Sequence, residues 1–463
     1  MSSVSLSESR FVGSDRLLAG IVLSVLTFWL FAQSVINVVP AMKSSLDISL
    51  ETLTLAVSLS ALFSGCFVVA SGGLADKFGR VRMTYLGLAL SIIGSAFLAA
   101  SQGPGLFITG RILQGLSAAC IMPATLALIK TWYEGRARQR AVSFWVIGSW
   151  GGSGLCSFVG GAIATGLGWR WIFVFSIAVA LLALLLLRGT PESRSASADR
   201  HKLDVGGLLS LIASLVLLNL FISKGHQWGW SSGLSLSMLG GAVITGGLFI
   251  RSGLRKGEAA LIDFALFRNR AYGAAVLSNF MLNGAIGTMM ITSIWLQQGH
   301  HLTPLETGMM TLGYLVTVLA MIRVGEKLLQ RYGARLPMMT GPVFTAIGIL
   351  LISCTFLDKS LYIGTVFFSN ILFGLGLGCY ATPSTDTAVA NAPENKIGVA
   401  SGVYKMGSSL GGAMGIAVTA SLFALFLPLG MASAAQYALW FNAALCLGSM
   451  VVSATMLPRT AHS

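Results

Sequence analysis

Long apolar runs alternate with short polar breaks from near the start of the chain to near its end. Runs of about 18 to 27 residues suit α-helices that cross a bilayer. Fourteen are predicted, at 17–39, 53–75, 83–100, 105–129, 143–166, 171–187, 205–223, 234–250, 271–295, 307–329, 336–357, 361–383, 397–427 and 434–456. The first begins after a polar stretch with Arg10 and Arg16 and has no clear small-residue cleavage site, so it reads as a retained span and not as a removed signal.

The charge pattern tests this reading. With the N-terminus inside, 23 of the 30 Lys and Arg fall in inward segments, and only Lys43, Arg170, Lys224 and Lys359 fall in outward ones. Basic residues favour the cytoplasmic side, and a missed early span would have swapped the later loops. Both termini are therefore expected in the cytoplasm, with the chain in the plasma (inner) membrane.

Between the second and third spans lies Gly72-Gly73-Leu74-Ala75-Asp76-Lys77-Phe78-Gly79-Arg80-Val81-Arg82, a knot of charge in a very short turn. Gly79 can take a backbone conformation that a side chain would hinder, and Asp76 can pair with a neighbouring arginine. The stretch Gly325-Glu326-Lys327-Leu328-Leu329-Gln330-Arg331-Tyr332-Gly333-Ala334-Arg335 follows the tenth span and echoes it, with Gln330 in place of the aspartate. The echo matches span 2 to span 10. The expected fold is an all-α polytopic membrane protein of two parallel six-helix bundles with two inserted central helices. The expected divisions are an N-terminal tail 1–16, a bundle 17–188, linkers with the inserted pair 189–270, a second bundle 271–457 and a tail 458–463. A second echo is glycine spacing: Gly148, Gly152 and Gly160 in span 5, and Gly407, Gly411 and Gly415 in span 13, lie on one face of each helix. Such smooth stripes admit another backbone closely; ordinary membrane packing explains either alone, and a helix pair that slides or rocks explains their recurrence.

Composition narrows the class. The chain is 55% hydrophobic and 10% charged, with a mean hydropathy of +0.79, a surface that no soluble protein of 463 residues tolerates. The net charge of +14 is spread by topology and forms no nucleic-acid patch. Cys66, Cys120, Cys156, Cys354, Cys379 and Cys446 lie in apolar runs without metal-ligand spacing. No P-loop, paired histidines or Gly-x-Ser-x-Gly elbow occurs, so no enzyme, cofactor or metal is expected and an ion gradient must drive any transport.

Ionisable groups inside spans are costly and mark function. Arg111 sits early in span 4, in Gly110-Arg111-Ile112-Leu113-Gln114-Gly115, near the outer end and too far from the inner headgroups to snorkel. Of the sixteen acids, all but Asp76, Glu326 and Asp386 fall in loops or tails. Asp76 reads as a gating charge. Asp386, after Ala381-Thr382-Pro383-Ser384-Thr385 at the inner end of span 12, is the first candidate for a coupling carboxylate, with a helix-end role as the plainer alternative and Lys405 in span 13 as its expected counter-charge. Glu326 is the second candidate, or an ordinary ion pair with Arg323 or Lys327. A cavity should be apolar with a few amides: Phe28, Trp29, Phe31, Gln33 and Asn37 of span 1, Gln114 of span 4, and Asn279 and Asn283 of span 9 are its candidates.

The 72–82 stretch resembles the loop between helices 2 and 3 of the major facilitator superfamily, and the segment around Arg111 resembles that superfamily's helix 4 motif, which implies a proton-coupling role for the arginine. Gly168-Trp169-Arg170-Trp171-Ile172-Phe173, Gly374 to Gly378 and Gly398 to Gly415 are similar to the fourteen-helix drug:proton antiporters. Within that family Phe28-Trp29-Leu30-Phe31-Ala32-Gln33-Ser34 and Ala381 to Thr387 resemble the quinolone efflux group of NorB and NorC. Two departures stand out. Ala32 occupies the place, five residues before Asn37, where many members hold an aspartate, and Cys156-Ser157 replaces the helix 5 Gly-Pro. The resemblance implies a proton-coupled multidrug exporter working by alternating access, a monomer in the lipid bilayer whose partners are protons and small amphipathic drugs such as quinolones, biocides and dyes. In this picture Gly72, Asp76, Lys77, Gly79 and Arg80 form the gating motif. A dedicated exporter of one metabolite or siderophore, and a non-transporting receptor or scaffold, are the alternatives.

Overall fold

The structure, a computed structural model, describes residues 11–48, 50–196 and 202–459. Every regular element among the described residues is helical. Among the described residues thirteen helices are long and apolar enough to cross a membrane, and a helix pair bent by 51° supplies a fourteenth span. They are α1 (Asp15–Leu26, a π-helical turn Thr27–Ala32, then Val35–Ser45), α2 (Leu50–Phe78), α3 (Arg80–Ala100) and α4 (Pro104–Trp132). Next come α5 (Gly135–Val146, a π-helical turn Ile147–Gly151, then Gly152–Gly166) and α6 (Arg170–Leu187). The inserted pair is α7 (Val205–Trp228) and α8 (Gly233–Lys256). The second half holds α9 (Arg270–Gly284, Gly287–Ile294 and the π-helical turn Trp295–Gly299), α10 (Pro304–Met310 and Leu312–Tyr332), α11 (Arg335–Ile352), α12 (Lys359–Ala390), α13 (Ile397–Phe426) and α14 (Met431–Met456).

The repeat is visible in the packing. The most extensive helix pairs are α2 with α4 and α3 with α4 in the first half, and α10 with α12 and α11 with α12 in the second. The inserted α7 packs on α8 and also touches α2 and α13, so it lies along the seam between the halves.

The glycine stripes have specific partners. A Cβ on Gly148, Gly152 or Gly160 would meet Val22, Leu26 or Ser34 of α1, and one on Gly407, Gly411 or Gly415 would meet Val276, Phe280 or Gly284 of α9. Each stripe thus seats a helix on the first helix of its own half. At Gly415 a Cβ would lie 2.0 Å from the Gly284 carbonyl oxygen, so the two backbones touch.

Many helices run beyond the predicted spans, and the extensions of α2, α5 and α12 carry charge. α2 ends at Phe78, α5 begins at Gly135, and α12 continues to Ala390. An apolar run stops where charged residues begin, but backbone hydrogen bonding continues wherever those charges find partners. Arg136, Arg138 and Arg140 are therefore helical and not in a loop, and the α4–α5 connection is only Tyr133 and Glu134. Asp386 likewise lies within α12 instead of at its end. Pro383 is accommodated inside α12, where its missing N–H leaves a carbonyl one turn back without its helical donor. That carbonyl, of Cys379, would lie 2.7 Å from a Cβ on Gly325, so α10 can approach only because Gly325 has no side chain.

Candidate transport pathway and seal

The connections α2–α3, α4–α5, α10–α11 and α12–α13 share one side of the bundle, here termed the basic face. The loop motif builds its centre. Gly79, at φ +122°, makes the turn between α2 and α3 in a conformation that L side chains rarely adopt. The turn aims Asp76 at the start of α13. Asp76 Oδ1 accepts from Arg80 Nε at 3.2 Å, Arg80 Nη2 at 3.0 Å and the Gly398 amide at 2.9 Å, and Oδ2 accepts from the Val399 amide at 3.1 Å. A carboxylate on the free amides of a helix N-terminus satisfies donors that have no helical partner and complements the helix dipole. Asp76 of the first half therefore caps a helix of the second.

Gly72 completes this contact. A Cβ there would lie 2.2 Å from the Gly398 carbonyl oxygen, so α2 and α13 meet backbone to backbone. Arg80 Nη2 also donates to the Glu394 carbonyl at 2.9 Å, and Arg80 Nη1 to Thr131 Oγ1 at 3.0 Å. Lys130 donates to the carbonyls of Ala390 and Ala392 at the end of α12. Lys77 Nζ lies 5.7 Å from the Phe78 ring centroid.

A second bridge crosses the same face. Arg138 Nε, on the extended N-terminal part of α5, donates to Asp386 Oδ1 at 2.9 Å, with Asp386 nearly fully buried. Asp386 pairs with Arg138 and not with Lys405, which corrects the expected counter-charge. The longer α5 is the reason, since it carries Arg138 over the end of α12. Glu326 pairs with Arg323 and accepts from Gln330 Nε2 at 3.1 Å. The Arg323 guanidinium lies 4.6 Å from the Phe144 ring centroid of α5, so this pair also leans on the opposite half.

The linker after α6 reinforces the motif, through an acid that sequence reasoning set aside as a loop residue. Glu192 accepts from the Val81 and Arg82 amides at 2.9 and 3.0 Å and so caps α3. The Arg80 amide donates to Ser193 O at 3.0 Å, and the Ser195 amide to Asp76 O at 2.8 Å. No short spacing signal marks this contact, because Glu192 is 111 residues from Val81.

Arg111 is wholly buried. Its Nη1 donates to the Ala32 carbonyl at 2.8 Å and to Gln114 Oε1 at 2.7 Å, and Nη2 donates to Ser60 Oγ at 2.6 Å. The planar fork thus joins α1, α2 and α4. Ala32 ends the π-helical turn of α1, and such a wide turn can leave carbonyls for outside donors.

Above the seal a cavity of about 1570 Å³ lies between the halves. Of the predicted lining, Phe28, Trp29, Gln33 and Asn283 face it. Phe31 instead packs with Val35, Leu53 and Phe107, while Gln114 serves Arg111. Asn279 lies behind the wall and donates to Ser408, which lines the cavity. The side chain of Asn37 lies outside the described residues. Lys405 faces the cavity, as do Trp150 of α5, Tyr314 of α10, Phe373 of α12, and Asn219 and Lys224 of α7. Asn219 carried the same signal as Gln33, an amide inside a span. It was missed because nothing in the sequence brings an inserted helix to the seam.

Two repeated six-helix halves around a central cavity, clamped together at one face, define a polytopic membrane transporter. The chain belongs to the major facilitator superfamily, whose sequence profile it matches over residues 17–267 and 271–463. It is 50% identical over 454 residues to the quinolone resistance protein NorB of Staphylococcus aureus (strain MRSA252), a match that covers 98% of both chains. Among solved structures it is similar to the proton:xylose symporter XylE, with a TM-score of 0.68 at 15% identity over 96% of each chain. It is also similar to a bacterial homologue of the iron transporter ferroportin in an outward-facing state, with a TM-score of 0.67 at 14% identity over 96% of this chain and 98% of that one.

Proposed function

We propose that the protein is a proton-coupled multidrug antiporter that exports amphipathic drugs, quinolones among them, across the plasma membrane. The observation that carries this reading is the large cavity walled by aromatic and aliphatic side chains with a few amides, in a chain half identical along its length to a quinolone resistance protein. Small-molecule cavities are mostly apolar, with a few polar groups that orient the ligand.

The basic face is cytoplasmic, with both termini on that side, in keeping with the bias of Lys and Arg. The clamp of Asp76 on α13 and the Arg138–Asp386 bridge then hold the cytoplasmic entrance shut. Protonation of Asp386 removes the charge that holds Arg138, and drug and proton favour opposite states of the same two halves. Arg111 fixes the joint of α1, α2 and α4 that must move as a unit. The working unit is a monomer of two bundles, 17–188 and 271–457, with the remaining pair inserted between them.

The test is drug-induced proton release from acidified everted vesicles at matched expression. Norfloxacin is expected to collapse the pH gradient in wild type but not in Asp386→Asn. A response in both proteins would remove Asp386 from the coupling path and move Glu326 forward; a response in neither would sink the antiport reading.

A further inference from the structure

The charged side chains on the cavity wall are both cationic, Lys405 and Lys224; no aspartate or glutamate lines the cavity among the described residues. Lys405 stands on α13 and faces Trp29 and Trp145 of the opposite half. Among the described residues no hydrogen bond or ion pair reaches it. Its Nζ is instead held between two indoles, 5.7 Å from the Trp29 ring centroid and 5.2 Å from that of Trp145. Trp145 is fixed in turn, since its Nε1 donates to Thr125 Oγ1 at 2.9 Å. Asp386, whose expected counter-charge was Lys405, is committed to Arg138.

A cation shielded from water and left without an anion is expensive, and indole faces repay only part of that cost. An incoming carboxylate would supply the missing partner through a charge-assisted hydrogen bond in a setting of low dielectric. A lipophilic cation entering the same cavity would meet the like charge of Lys405 and, among the described lining residues, no carboxylate. We infer that Lys405 anchors the carboxylate of an amphipathic substrate whose aromatic part lies against Trp29, Trp150, Tyr314 and Phe373, so that the cavity selects carboxylate-bearing amphiphiles over purely cationic ones.

This inference rests on the efflux reading for its physiological meaning, but binding tests it without any gradient. Purified protein in lipid nanodiscs is titrated calorimetrically at pH 7.5 with nalidixic acid, its ethyl ester and tetraphenylphosphonium. The acid should bind on the order of 10- to 100-fold more tightly than the ester, as expected for a hydrogen bond to a charged group. Lys405→Gln should bring the acid down to the affinity of the ester and leave the ester unchanged, and Lys405→Arg should restore most of the difference. Equal affinity for acid and ester in wild type, wild-type affinity for the acid in Lys405→Gln, or tighter binding of tetraphenylphosphonium would each overturn it. If Lys405→Gln does not stay folded, the acid-to-ester ratio in wild type and in Lys405→Arg decides. A protein that shows this ratio but releases no protons defeats antiport alone, and one that exports norfloxacin but lacks the ratio defeats the anchor alone.

Discussion

Arg138 and Asp386 lie 248 residues apart in the chain and 2.9 Å apart in space, one in each half of the molecule. A bridge of this kind holds the halves together only while both charges are present. Arg138→Gln and Asp386→Asn should each loosen the basic face, and the exchanged pair Arg138→Asp with Asp386→Arg should restore it. Cys66 in the cavity wall is a built-in reporter once the other cysteines are replaced. Its labelling by an impermeant maleimide in everted vesicles should be about tenfold faster in each single variant, the change expected for ~1.4 kcal/mol in the opening equilibrium. Unchanged rates would show that the bridge does not control access.

The contact between Gly72 and Gly398 leaves no room for a methyl group. Gly72→Ala should separate α2 from α13 and pull Asp76 off the α13 amides, with an overpacking cost of about 1–3 kcal/mol. Norfloxacin efflux should fall about tenfold or more. Gly73→Ala is the control, because its nearest neighbour is a Val399 methyl at 3.6 Å, an ordinary contact. Equal effects at the two positions would contradict the backbone contact.

Arg111→Lys keeps the charge and loses the fork. An ammonium cannot reach acceptors on α1, α2 and α4 together, and each hydrogen bond to a charged group contributes about 1.5–3 kcal/mol. The variant should melt at a lower temperature in detergent and lose most of its efflux at matched expression. A lysine variant with wild-type melting and transport would show that a point charge suffices.

The inserted pair offers a prediction in pH. Burial alone would raise the carboxyl pKa of Asp204, but the Lys256 ammonium at 2.5 Å and the amides of Gly207 and Leu261 outweigh it and hold the pKa below the usual value. A lowered folded-state pKa stabilises the fold above the unfolded pKa, about 3.9, and the contribution is lost as pH falls through the lowered folded value. Asp204→Asn should therefore melt below wild type at pH 7, and the gap should close as the pH drops below about 4. A constant gap across that window would mean that the charge of Asp204 contributes nothing.

The sequence carried the number of spans, the repeat, the turn at Gly79 and the buried ionisable residues, because each follows from local chemistry. A run of apolar residues must leave water whatever its neighbours, and an arginine in such a run must find acceptors. Helix ends were less legible. Arg138 read as a loop residue because its charge interrupts the apolar run, and only its partner Asp386 explains why the helix continues there. Phe31 and Gln33, two residues apart, show the same limit, since nothing local says which of them faces the cavity and which faces α4.

By itself the sequence determined that this chain is a membrane protein of two repeated halves with a few charges buried at cost. Tertiary structure decided what those charges do. It placed Asp76 on the α13 amides, gave Asp386 to Arg138, folded Glu192 back onto α3, and left Lys405 between two indoles at the cavity wall. Partner choice between halves depends on how two helix bundles meet across hundreds of residues. Hydrophobic periodicity fixes which face of a helix is buried, but it contains no information on which distant polar group that face will find.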